Sequence, residues 1–120
     1  MTTYRDLLVW QRGMDLVEHL YALTRTLPSE ERFGLCAQLQ RAGVSVPSNV
    51  AEGHSRRTQG AFMNHLSIAI GSQAEVETLL EVCKRLKFGD NELLASSERC
   101  AIETGKMLYG LYASLERSCE

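Results

Sequence analysis

Proline is scarce in this chain: its 120 residues include two, Pro28 and Pro47, and its aromatic fraction is 7%. With so few helix breakers, no Gly/Ser-rich linker and 44% apolar residues, the composition excludes a collagenous, low-complexity or disordered chain. An excess of charge of one sign is also missing. Thirteen Lys and Arg against fifteen Asp and Glu give a formal net charge of −2, so no global field draws the chain to nucleic acid or anionic lipid. Any such binding has to come from a local patch. No run approaches the ~18 apolar residues that a membrane span needs. Arg5, Asp6, Arg12 and Asp15 interrupt the start, so no apolar signal-peptide region forms there, and a cytoplasmic location without membrane association is expected.

Metal-binding patterns are lacking as well. Cys36, Cys83, Cys100 and Cys119 lie far apart and form no Cys-x-x-Cys pair, which excludes a zinc knuckle or a thioredoxin-like site and leaves reduced, mostly buried thiols as the expectation. His19, His54 and His65 show no i, i+4 pairing and no His-Glu-x-x-His. No cofactor or metal is expected. Period-two alternation and Asn-Gly turns are absent too, so no strand is required.

What is present is helical periodicity. Leu7, Trp10, Met14, Val17 and Tyr21 form one stripe and Leu16, Leu20, Leu23 and Leu27 a second, which predicts a helix over roughly 5–26 with two apolar faces. Pro28 and Ser29 end it, and Ser29 is placed to cap a second helix whose first turn carries Glu30 and Glu31 and whose apolar face is Leu35, Leu39, Ala42 and Val46. Thr58 is the expected N-cap of a third helix with Phe62, Leu66, Ala69, Val76, Leu80 and Cys83 at heptad-like spacing, interrupted by Gln73. Gly89 closes it, and Asp90 or Asn91 opens a fourth with Leu94, Ala101, Leu108, Leu111 and Leu115. Short connections make sequential helices antiparallel neighbours. The expected fold is all-α, a single domain over 1–120 forming an antiparallel up-and-down four-helix bundle.

The stretch "RAGVSVPSNVAEGHSRR", Arg41 to Arg57, sets Pro47 inside the second helix. An interior proline forfeits a backbone hydrogen bond and clashes with the preceding turn, at ~3 kcal/mol. A kinked helix is favoured over a break because Leu39, Ala42, Val46 and Asn49 keep their phase, so a proline bend is expected. The interior glycines need an offset for their helix cost, and close approach of helix backbones supplies one; Gly71 with Ser72 and Ala74 is expected at such a contact. The first helix and the third, which adds a side stripe of Leu79, Val82 and Leu86, each show two apolar faces, more than a monomeric bundle buries, so self-association is expected.

Candidate chemistry is sparse. "GVSVP" lacks the second glycine and the preceding strand of a nucleophile elbow. Asn49 and His54 have the spacing of helical ribonucleases that pair an Arg-Asn step with a histidine, although Ser48 stands in place of the arginine. Arg41, Asn49 and Glu52 are expected to form a polar network at the bend. Alternatively, Arg41, Arg56 and Arg57 form a phosphate or nucleic-acid contact.

"LPSEERFGL" (Leu27 to Leu35), "QLQRAGVSVPSNVAEG" (Gln38 to Gly53) and "AIGSQAEVET" (Ala69 to Thr78) carry a resemblance over nearly the whole chain. The sequence resembles the four-helix bundle protein family that includes proteins encoded by 23S rRNA intervening sequences and the accessory protein of diversity-generating retroelements. The resemblance implies a ring-like homopentamer without enzymatic activity, acting as a scaffold or adaptor for a protein partner. The retroelement protein engages a reverse transcriptase and nucleic acid through a strongly basic surface. Here six basic residues stand against nine acidic ones from Thr58 onward, a departure from that surface.

Overall fold

The architecture is that of a computed structural model whose described residues are 3–118. Thr3 starts the first turn. Its hydroxyl accepts from the Arg5 amide while the Asp6 carboxylate accepts from the Thr3 amide, a reciprocal cap on a 3-10 turn at Tyr4–Asp6. The first α-helix, α1, follows at Leu8–Thr24. One of its two apolar stripes turns inward along its length, and the other only at its start, where Leu7 and Trp10 pack against the core. Leu16, Leu20 and Leu23 are fully buried, whereas Met14 is 39% and Tyr21 37% exposed.

The link to the second helix departs from expectation. Ser29 does not cap it: its hydroxyl donates to the Glu30 carboxylate, and Ser29–Glu31 is a separate 3-10 turn with the two acids in it. α2 starts four residues beyond that turn, at Leu35–His54, entered through Gly34. It runs without interruption through Pro47, so the helix break is not the outcome. Leu39, Val46 and Val50 stay in one fully buried stripe across the proline.

Thr58 caps α3 (Gln59–Leu86) as its type predicts, accepting from the Ala61 amide at 3.1 Å. The end of α3 is formed by Lys87, which takes the left-handed conformation at φ 59°, ahead of Gly89 at φ 87° in the connection. Asp90 then caps α4 (Asn91–Ser118), its carboxylate accepting from the Leu93 amide at 3.0 Å.

The contacts give the topology. Gly13 meets Pro47 and Gly43 meets Leu20; Ser45 meets Ser72 and Gly53 meets His65; Gln59 bonds the Leu115 carbonyl and Gln73 the Ala101 carbonyl; Arg12 meets Glu103 and Ser97 bonds the His19 carbonyl. In each pair of helices one number rises as the other falls, so all four neighbouring pairs are antiparallel. Packing joins α1 to α2, α2 to α3, α3 to α4 and α4 to α1, with no diagonal pair among the described residues. The result is a square array about 47 Å long and 20 Å across, with four grooved faces.

Its core falls into two clusters. One centres on Leu16, Leu20, Leu39, Val76, Leu80 and Cys83, the other on Val9, Val46, Val50, Leu66, Ala69 and Leu108. Between them, at mid-height, lie Gly13, Gly43, Gln73, Thr104 and Gly105, four of them tight against a neighbouring helix or the side chain that fills the gap. Gln73 is buried there, its Nε2 donating to the Ala101 carbonyl and to Glu77 Oε2. Gly71 does not match its expected role: it is exposed, and an added Cβ would meet nothing within 4 Å.

Candidate functional site

On the α3 side of α2, Ser45, Asn49 and Glu52 follow one another at helical spacing, and α3 presents His65 and Ser72 to them. Gly53 lets the two helices close up here, since a Cβ on it would lie 2.6 Å from His65 Cβ. The outcome is one chain of polar contacts. Ser72 and Ser45 hydroxyls are 2.8 Å apart, and the Asn49 amide donates to Ser45 Oγ at 3.0 Å and to the Ser45 carbonyl at 2.9 Å. Asn49 Oδ1 lies 3.1 Å from His65 Nδ1, and His65 Nε2 lies 3.4 Å from Glu52, which also holds Arg56 at 3.3 Å.

Chemically this is a clamp between two helices. The imidazole has both nitrogens occupied and only 13% of its side chain exposed, while the Ser45 hydroxyl is engaged by Ser72 and Asn49 rather than by the histidine. A hydroxyl nucleophile activated by His65 would need that bond. The Asn49 to His54 pairing suggested by spacing is not formed. His54 packs edge-on against Phe62, ring centroids 5.5 Å apart, and Asn49 takes His65 instead.

The three arginines part company. Arg56 and Arg57 adjoin at the α2–α3 turn, Arg56 paired with Glu52 and Arg57 exposed. Arg41 sits 15 residues from Arg56, roughly 22 Å along a helix axis, and lines a groove with Tyr21, Gln40 and Val44. It therefore joins neither a single three-arginine patch nor the Asn49–Glu52 pair. His65, the residue that ties this cluster together, is absent from the sequence-derived set, because only the α2/α3 register brings it opposite Asn49.

The remaining faces differ in character. The α1/α4 groove is the most polar, with a hollow of about 600 Å³ among Arg12, Asp15, Glu18, His19, Arg99 and Glu103. Arg12 bridges it to Glu103 at 3.0 Å and to Asp15 at 3.2 Å. Buried at its edge, the Cys100 thiol is pushed above its ordinary range by desolvation. The α1/α2 face is apolar instead. Tyr4, Trp10, Met14, Val17, Val44 and Ala51 line one hollow on it, and Tyr21 and Val44 another. This is the outward stripe of α1, completed by α2.

Among the described residues no group of three or more His, Cys, Asp or Glu could hold a metal ion, and no helix is long and apolar enough to cross a membrane. A family model for the 23S rRNA-intervening sequence protein matches residues 5–110. A crystal structure from Bacteroides thetaiotaomicron, of a protein with unknown function from the S23 ribosomal protein family, matches with a TM-score of 0.80 at 24% identity, covering 88% of this chain and 96% of that one. That likeness carries the fold. No curated protein matches the sequence.

Proposed function

The chain belongs to the 23S rRNA-intervening sequence protein family, and from that premise we propose that it acts in the cytoplasm as a non-enzymatic homo-oligomeric scaffold or adaptor for a protein partner. A pentamer is the assembly that the family resemblance implies. The single observation carrying the reading is the apolar α1/α2 face, where Val44 is 40%, Met14 39% and Tyr21 37% exposed alongside the partly buried Trp10 and Val17. Contiguous exposed apolar surface of this kind marks a protein contact.

The clamp on α2/α3 supports the non-enzymatic part. Its polar atoms are spent on one another, as in a structural network that fixes two helices in register. Nucleic-acid binding, the second reading, has less to stand on: Arg41 lies far from Arg56, and Arg56 is paired with Glu52.

Light scattering on chromatographed protein, with the A260/A280 ratio recorded, tests this reading. A mass near five chains with a pure protein spectrum is the expected result. A monomer at tens of micromolar would overturn the reading, and co-purifying nucleic acid that leaves at high salt would put the accessory-factor function in its place.

A further inference from the structure

We propose that the assembly is head-to-tail: the α1/α2 face of one copy docks on the α3/α4 face of the next, with Arg25 and Arg41 against Glu77 and Glu98 around an apolar centre. The inference rests on the self-association reading above and names its two surfaces.

The α1/α2 face is apolar in the middle and cationic at its edges. Arg25 flanks Tyr21 on α1, Arg41 flanks it from α2, and neither arginine takes part in an ion pair among the described residues. The acid nearby, Glu18, is shared with the α1/α4 groove. Two such faces brought together would set arginines against arginines, and like charges across an interface are strongly disfavoured. A two-fold contact of this face with itself is therefore a poor match.

The opposite side of the square supplies the complement. The α3/α4 groove has a hollow of about 180 Å³ lined by Glu77, Leu80, Glu98, Ala101 and Ile102. Ile102 in its lining is 55% exposed, and Tyr109, two turns further along α4, is 62% exposed. The carboxylates are set in position. Glu77 accepts from the buried Gln73 amide at 2.9 Å and leans over Gly105, where an added Cβ would lie 3.2 Å from its Oε2. Glu98 has only a long contact with Lys84, 3.9 Å, and keeps room for a second cation.

An apolar face edged by unpaired arginines thus has, on the other side of the same molecule, an exposed isoleucine edged by glutamates. A contact between two different surfaces is heterologous, leaving each copy with one free donor face and one free acceptor face until the assembly closes.

This property gives a decisive experiment. One variant, Tyr21→Glu with Arg41→Glu, disables the first face; the other, Glu98→Arg with Ile102→Arg, disables the second. Each alone is expected to be monomeric by light scattering, with unchanged helicity and a melting temperature lowered only by the loss of the subunit contact. Mixed in equal amounts, they are expected to form a complex of two chains and no larger, because one intact face remains on each.

If the wild type assembles but the α3/α4 variant assembles equally well, or if the mixture of folded variants stays monomeric, the head-to-tail inference falls while self-association stands. A monomeric wild type overturns both. Should either double variant unfold, Arg41→Glu and Glu98→Arg alone are read in the same way: each weakens assembly, and their combination in one chain restores it.

Discussion

Cys83 shows how burial alone gives a side chain a measurable property. It is fully buried in the first core cluster, and desolvation first, with smaller contributions from Cys36 and Glu31, raises its thiol pKa from 9.0 to about 11. The unfolded chain therefore releases this proton near pH 9, whereas the folded chain keeps it until about 11. In that window the folded state binds more protons, so stability falls as pH rises. Cys36 and Cys100 are shifted the same way, again chiefly by burial, and add with the same sign. Urea midpoints are expected to drop between pH 8.5 and 10.5, and to drop less in Cys83→Ala. Equal drops in the two proteins would contradict this. Cys119, expected from the sequence to be a reduced thiol, lies outside the described residues.

Between elements, the glycines decide which helices come close. At Gly53 of α2, the atom of α3 that an alanine methyl would meet, His65 Cβ at 2.6 Å, is anchored to the backbone and has no freedom to swing away. Gly53→Ala is expected to force the helices apart and to cost about 1–3 kcal/mol, as overpacking does. Gly71 is the internal control. It is helical, exposed and open on all sides, so Gly71→Ala is expected to stabilise by up to about 1 kcal/mol through helix propensity. Chemical denaturation measures both, and a Gly53→Ala protein as stable as wild type would show that the His65 clamp is looser than described. The local sequence sets Gly53 near the end of α2 and Gly71 inside α3, but shows for neither whether a neighbouring helix lies against it.

For the whole molecule, the distribution of apolar surface matters more than its amount. The core takes in the Leu16 stripe of α1 and also Leu79 and Val82 from the side of α3, with Leu7 and Trp10 at its edge, whereas Met14 and Tyr21 of α1 stay exposed beside Val44 of α2. Met14→Glu with Val44→Glu adds two charges at positions about 40% exposed, so the individual bundle is expected to lose little stability, on the order of 0.5 kcal/mol per site. Assembly is expected to be lost, because the same charges would be desolvated at a subunit contact. Sedimentation paired with thermal melting separates the two effects. An unchanged mass would place the contact elsewhere, and a large fall in melting temperature for a variant that is already monomeric would mean the face belongs to the core.

The amino-acid sequence alone specified four helices, the Thr58 cap, an opening of α4 at Asp90 or Asn91, the buried stripes of α2, α3 and α4, and a fold that needs no strand. These follow from local rules, capping chemistry and 3.6-residue periodicity, which act within a few residues. It did not determine which of two equally apolar stripes of α1 faces inward, or that Ser29 forms its own turn with Glu30. Nor did it show that Asn49 meets His65 and leaves His54 aside, or that Arg41 lies apart from Arg56 and Arg57. Those outcomes depend on the rotation and register of one helix against another. Packing of the four helices selects them, because the contacts involved join residues far apart in the chain.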